Sequence, residues 1–328
     1  VTPAPSAPPV RRLIASPAGR THLVEQGRGP LVLLLHGFPE TWRSWRHQLP
    51  ALAAAGYRAV AMDTRGNGRS SRPADPAAYR ATALAEDVAA VVHALGERQA
   101  VLIGHDWGAT GAAHTALLHP GLCRGVALLG VPYTPPGGPR PSEVFAGMGG
   151  EEEFYVSYFQ EPGRAEAEME PDVRGWLAGF YAALSGDTAP GPGAPDPHFV
   201  TRDGGTLRER FPAGAAPGWL SETELDAHAA EFERTGFTGA LNRYRTMDRD
   251  WAELAPLAGA AIELPSLFVG GEHDASLRWL ADAVAAFPRT LPGLRGSHVL
   301  AGCGHWVQQE RPDETNRLLV DWLDALPH

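Results

Sequence analysis

Apolar positions along this chain of 328 residues fall into short unbroken runs, separated by longer stretches with helical spacing. Leu31–His36, Tyr57–Asp63, Val101–Gly104 and Cys123–Val131 are continuous runs bounded by glycine or proline, and they predict strands buried on both faces. Arg12–Ser16 and His22–Glu25 predict two shorter strands ahead of them. Between the runs, Trp42, Trp45, Leu49 and Leu52 share one face of a helix closed by Gly56. A second helix is predicted over Ala83–Leu95, capped by Thr82, with Leu84, Val88, Val91 and Leu95 inward and Gly96 as its stop. After Pro265 the alternation resumes with a strand at Ser266–Gly270, a helix ending near Phe287 and a strand at Ser297–Ala301. A last helix begins at Pro312, with Asp313 and Glu314 in its first turn and Thr315, Leu318, Leu319 and Trp322 inward. The fold class is therefore α/β, a mostly parallel sheet with helices on both faces.

The pattern breaks at Pro135-Pro136-Gly137-Gly138-Pro139, and from there to about Asp248 it reads as helices and loops. The expected organisation is an N-terminal stretch 1–20 that is disordered or extended, a core of 21–134 and 250–328, and an inserted helical lid at 135–249. Gly186–Gly218 is rich in Gly and Pro and predicts a long mobile excursion. Ser221-Glu222-Thr223-Glu224 is a capping box that starts another helix. Val1 stands where an initiating Met would, so processing or trimming is expected, and Val1–Pro9 has no apolar signal core.

Composition narrows the partners. The formal net charge is -10 and all 28 basic residues are arginine, with no basic run. This balance speaks against nucleic acid and anionic membranes. No apolar run reaches the length of a membrane span, and a cytoplasmic location is expected. Cys123 and Cys303 lack metal-ligand spacing and read as buried free thiols.

The candidate chemistry centres on Gly104-His105-Asp106-Trp107-Gly108, between a predicted strand and a predicted helix. This is the G-x-x-x-G strand-to-helix turn that presents a nucleophile, with aspartate at its centre. A carboxylate is already anionic near neutral pH and attacks without a base, giving an ester of Asp106. An activated water must then cleave that ester, so a base belongs to the second step. His305 is the candidate, on Gly302-Cys303-Gly304-His305-Trp306, with Asp274 in Gly270-Gly271-Glu272-His273-Asp274 to orient it. All three follow strand ends, where open parallel sheets place their sites. Plainer alternatives stand beside each. Asp106 could simply cap a helix, Glu272 and His273 compete with Asp274, and His36 and His105 compete with His305 while fitting loop-fixing roles better. His36-Gly37-Phe38-Pro39 is the candidate oxyanion loop, with the backbone N–H groups of Phe38 and Trp107 as donors and a cis Phe38–Pro39 bond expected.

Taken together, these residues resemble the epoxide hydrolases of the α/β-hydrolase superfamily, close to the soluble type, over about Thr21 to Leu326. The resemblance rests on His36–Glu40, Gly66–Ser70, Gly104–Gly108, Gly271–Asp274 and Gly302–Trp306, and on Phe154–Gly163 and Asn242–Met247 in the insertion. The order nucleophile, acid, histidine is also that of the superfamily. The resemblance implies a small hydrophobic epoxide and water as substrates and no cofactor or metal. It also implies Tyr155 and Tyr244 as the pair that binds the epoxide oxygen. Tyr158 lies three residues from Tyr155 and remains a rival for the first tyrosine. Two phenols facing a carboxylate suit this chemistry, because the leaving group becomes an alkoxide that must be hydrogen-bonded and protonated. Phe38, Trp107, Phe159 and Trp306 would form an apolar wall. Asn67 departs from the family pattern, standing where an aromatic often does.

Two rivals share the sequence. A haloalkane dehalogenase would use the same nucleophile and base, but Phe38 offers no side-chain amide to a leaving halide. A ligand-binding pseudoenzyme would keep the pocket but has no need of the full acid and base set. A serine-type esterase is disfavoured by Asp106 itself. The sequence leaves monomer and homodimer equally open.

Overall fold

The computed structural model describes residues 8–188 and 196–327. Its strands in chain order are β1 (Val10–Ser16), β2 (Gly19–Gln26), β3 (Leu31–Leu35), β4 (Arg58–Met62), β5 (Ala100–His105), β6 (Cys123–Leu129), β7 (Glu152–Phe154), β8 (Phe199–Thr201), β9 (Ser266–Gly271) and β10 (Leu294–Leu300). Eight form one sheet in the order β1-β2-β4-β3-β5-β6-β9-β10, while β7 and β8 pair as a separate two-stranded ribbon. The β1/β2 and β2/β4 pairings are antiparallel and the rest of the large sheet is parallel.

The unbroken apolar runs became the central strands because both faces are covered. Successive side chains point to opposite faces. Leu33, Leu35, Val60, Leu102 and Val126 therefore pack on Val88, Val91, Val92 and Ala112 of one helical layer. Val32, Leu34, Ala61, Ile103 and Ala127 pack on Trp45, Leu49, Leu52, Leu319 and Trp322 of the other. Ser266 of β9 pairs with both Val126 of β6 and Leu294 of β10, so the chain leaves the sheet after β6 and rejoins it beside the strand it left. The intervening helices have an apolar core of their own, including Trp176, Phe180, Phe211 and Phe237, which seats on Phe38 and Trp306.

Several sequence expectations need correction. The stretch 10–20 takes the extended alternative, and the strand expected at Arg12–Ser16 is longer, Val10–Ser16, because all of β1 pairs with Gly19–Glu25 of β2; Val1–Ala7 lies outside the described residues. The second helix starts at Ala81 after Arg80, and Thr82 donates its hydroxyl to Glu253 instead of capping. Leu84 is only half-buried, and Ala85 and Val92 take the inward places. Trp42 and Trp45 sit in a separate 3-10 turn ahead of the helix Gln48–Ala54. In the last helix Leu323 is buried where Leu318 was expected. Gly186–Gly218 contains β8 and the helix Leu207–Arg210, begun by a capping box of Thr206 and Glu209. Thr-x-x-Glu was legible there, but glycine and proline on both sides masked it. Residues 189–195 of that segment lie outside the described residues.

The turn after β5 is a tight junction. Asp106 has φ 54, the only positive φ at a non-glycine among the described residues. A Cβ on Gly104 would lie 2.1 Å from the Gly108 carbonyl oxygen, and one on Gly108 would lie 1.9 Å from that of Leu35. Gly108→Ala is therefore expected to cost about 3 kcal/mol or more of unfolding free energy, because backbone atoms cannot yield as a side chain does. Gly111→Ala, three residues along the same helix with no atom within 4 Å of the added carbon, is expected to be neutral or stabilising by up to about 1 kcal/mol. Urea unfolding of both variants checks the contrast, and equal midpoints would refute it.

Candidate active site

The turn projects Asp106 above the C-terminal end of β5. The cis Phe38–Pro39 bond follows β3 in the neighbouring loop. The Phe38 N–H donates to Asp106 Oδ1 at 2.8 Å. This approach requires Gly37, whose added Cβ would fall 2.2 Å from the same oxygen. The other carboxylate oxygen, Oδ2, lies 3.6 Å from His305 Nε2. On the far side of the ring, His305 Nδ1 is 2.9 Å from Asp274 Oδ2. Asp274 is anchored in turn, because its Oδ1 accepts the Ser276 N–H at 2.9 Å and caps the helix Ala275–Trp279. A carboxylate tied at both oxygens sets the ring orientation.

These neighbours determine the charges. Burial by itself would strip the proton from His305, but Asp274 and Asp106 outweigh it and push its pKa well above the usual imidazole value. Burial would raise Asp274, and the His305 cation with its hydrogen bond overcomes this and holds the carboxyl low. The resting site is thus an imidazolium between two carboxylates.

The rival histidines and acids have other work. His36 Nδ1 bonds to the Gly37 carbonyl while Nε2 accepts the Thr64 N–H at 3.0 Å. His105 faces Glu40 Oε2 at 2.8 Å and the His305 carbonyl at 2.9 Å. His273 is exposed, and exposed Glu272 accepts the Gly302 N–H at 2.8 Å.

Tyr155 and Tyr244 come from different elements of the insertion and meet over Asp106. Tyr155 opens the short helix after β7, and Tyr244 lies in the helix Thr238–Arg245. Their ring centroids are 6.2 Å apart in an edge-to-face arrangement, with the two hydroxyls within electrostatic reach of each other. Burial foremost raises both phenol pKa values, reinforced at Tyr155 by the Asp106 charge and at Tyr244 by Tyr155 and then Asp106, so both keep their protons. Tyr158 turns elsewhere, with its hydroxyl on Glu168 and the Arg164 guanidinium 3.5 Å from its ring centroid. The open choice between the two tyrosines therefore favours Tyr155 on position.

The four wall aromatics divide. Phe38 and Trp107 meet the Tyr244 ring edge-to-face at 5.4 and 5.0 Å. Phe159 and Trp306 are completely buried. Phe159 backs both tyrosines at 5.3 and 5.0 Å, and the Trp306 indole N–H is spent on the Tyr181 carbonyl. They support the site and show it no open face.

Two glutamates escaped the sequence analysis. Glu40 is fully buried and accepts from the Gly37 N–H, His105 and the side-chain amides of Gln308 and Gln309. Glu310 accepts the N–H groups of Gly186, Gly304 and Trp306 at 2.8, 2.9 and 3.0 Å. Between them they clamp the loops carrying Phe38 and His305. Glu40 stood in view beside Pro39, but no local pattern says that a glutamate will serve as a hub for buried donors.

The chain is similar in sequence and fold to known proteins. A model of the alpha/beta hydrolase fold family matches residues 30–312. The chain is 40% identical to epoxide hydrolase B of Mycobacterium tuberculosis, with 97% of this chain and 99% of that protein aligned. Among solved structures, an epoxide hydrolase from an endophytic Streptomyces is 61% identical with a TM-score of 0.94, covering 97% of this chain and 96% of that one. Epoxide hydrolase A from Mycobacterium thermoresistibile is 42% identical with a TM-score of 0.89, covering 98% and 99%.

Glu40 makes the site's stability depend on pH. Burial would raise its pKa, but His105 and the Gly37 N–H outweigh burial and bring it from the ordinary 4.5 down to about 2. A folded-state pKa below the unfolded one contributes stability that is full above pH 4.5 and is lost as pH falls toward 2, here on the order of 3 kcal/mol. The stability gap between the protein and Glu40→Gln, measured by urea unfolding at several pH values, should be widest above pH 4.5 and shrink toward pH 2. A gap constant with pH would refute this.

Proposed function

The chain belongs to the epoxide hydrolases of the α/β-hydrolase fold family, and on that premise we propose that it opens a small hydrophobic epoxide through an ester of Asp106 and releases a vicinal diol. The observation that carries the reading is the placement of Asp106. One oxygen is held by the Phe38 N–H, the other faces His305, and a protonated tyrosine pair lies across from both.

In the first step the carboxylate oxygen not held by Phe38 attacks an epoxide carbon and the carbon–oxygen bond breaks. The departing oxygen gathers negative charge opposite Asp106, where Tyr155 and Tyr244 hydrogen-bond it and supply a proton. Oδ1, still on the Phe38 N–H, becomes the ester carbonyl oxygen.

The second step follows from the charges. Esterification removes one of the two negative charges that hold the proton on His305. The imidazole pKa falls, its proton passes by way of solvent to the tyrosine that protonated the leaving oxygen, and the ring becomes able to act as a base, with Asp274 remaining to balance the charge it takes up. Water attacks the ester carbon as His305 removes its proton. The oxyanion forms on Oδ1 between the N–H groups of Phe38 and Trp107, and collapse breaks the ester C–O bond. The leaving alkoxide takes a proton from His305 to complete the diol, and the new Asp106 carboxylic acid returns one to the ring. The base is thus disarmed before the ester exists and armed by its formation. A leaving halide would find little help here, because the Tyr244 ring stands edge-on against the Trp107 indole at 5.0 Å and Phe38 has no donor side chain. Within this reading, no helix among the described residues is long and apolar enough to cross a membrane.

His305→Gln is expected to accumulate the ester, seen as a mass increase equal to one epoxide in the intact protein. Absence of any adduct would sink the two-step scheme. Tyr155→Phe and Tyr244→Phe should each slow ring opening roughly tenfold to a hundredfold, and the pair together considerably more. Diol formation without halide release from a matched haloalkane separates this reaction from dehalogenation.

A further inference from the structure

Trp107 is held by more than packing. One side of it borders a cavity that Asn67, Leu84, Asp87 and Arg243 also line. An indole beside open space has little steric restraint on that side. Arg243 supplies the restraint, with its guanidinium carbon 4.5 Å from the Trp107 ring centroid. The arginine is itself fixed, since its Nη1 bonds Thr246 Oγ1 at 3.3 Å and pairs with buried Asp250. Asp250 in turn accepts the Ala81 N–H at 2.7 Å where the helix Ala81–Ala94 begins. On the other side of the indole, the Tyr244 ring stands edge-on at 5.0 Å and 88°, with its hydroxyl within electrostatic reach of the indole N–H. Four side chains, Asp250, Arg243, Trp107 and Tyr244, therefore run in contact from the sheet's helical layer to the reacting atoms.

We propose that Arg243 is a positioning residue for ring opening, its cation holding the Trp107 indole so that the indole N–H keeps the Tyr244 hydroxyl aimed at the leaving oxygen. The proposal rests on the role given to Tyr244 above. A cation over the ring face draws electron density from the indole and makes its N–H a stronger donor. A phenol oxygen that accepts such a bond gives up its own proton more readily. Arg243 acts on the first chemical step and leaves ester hydrolysis alone.

The test uses the His305→Gln protein, in which only ester formation is observed, with styrene oxide as the probe and intact mass as the readout. Arg243→Gln should slow adduct formation roughly tenfold, and Arg243→Lys, which keeps a cation near the ring, should recover most of that loss. In a Trp107→Phe background, which lacks the indole N–H but keeps the backbone, Arg243→Gln should cost less than about twofold. Full additivity of the two substitutions, or an Arg243→Lys rate no better than Arg243→Gln, would overturn the proposal. If Arg243→Gln does not fold because Asp250 is left unpaired, Arg243→Gln with Asp250→Asn removes both buried charges and the same comparisons apply. A parent His305→Gln protein that forms no adduct would instead strike the ester reading, and this inference with it, before Arg243 is altered.

Discussion

A charged imidazole buried between two carboxylates is the constraint on which the rest of the molecule turns. His305 is about nine-tenths buried, with Asp274 on one nitrogen and Asp106 beside the other. Removing three charges from water is costly, and their mutual attraction offsets that cost only when the geometry is tight and the remaining polar atoms are satisfied. The surrounding structure meets both conditions. Asp274 spends its second oxygen on a helix N-terminus, Asp106 spends one on the Phe38 N–H, and the His305 backbone is tied to the Leu184 carbonyl and to His105. Glu40 and Glu310 extend the same logic one layer outward, since Glu40 collects the Gly37 N–H and side-chain donors and Glu310 collects three backbone N–H groups from loops that have no ladder to join.

The inserted helices complete that enclosure and add the acid chemistry. Their core seats on Phe38 and Trp306, residues that belong to the two site loops of the sheet domain. The same contact surface that stabilises the insertion therefore brings Tyr155 and Tyr244 over Asp106. Placing the tyrosine pair on one layer and Asp106 on the other allows each to be rigid in its own framework. The cluster of Phe38, Phe159, Trp107 and Tyr244 keeps the surroundings apolar, which would strengthen hydrogen bonds to the alkoxide of the proposed reaction.

In the reaction proposed above, charge placement also orders the two steps. A base that is protonated while Asp106 is free cannot compete for water early, and loss of the Asp106 charge on esterification is what would free it. This timing needs no moving part. It follows from two carboxylates sharing one imidazole, of which only one is consumed.

Much of this was legible in the chain. Apolar runs marked the buried strands because parallel strands are covered on both faces, and the glycines around Asp106 marked the turn because backbone must pass there at van der Waals distance. Asp106, Asp274 and His305 were legible in order because strand ends converge at one edge of a parallel sheet. Helix starts such as Ala81, and β8 within the Gly- and Pro-rich stretch, were not, because tertiary contacts decided them against weak local signals. Nor could the sequence choose between Tyr155 and Tyr158, which differ by three residues but point to Asp106 and to Glu168. The roles of Glu40, Glu310 and Arg243 were hidden for the same reason. The linear chain determines which chemistry is available, since residue type and strand order carry it. Which buried groups face one another across distant segments is decided only when the layers pack.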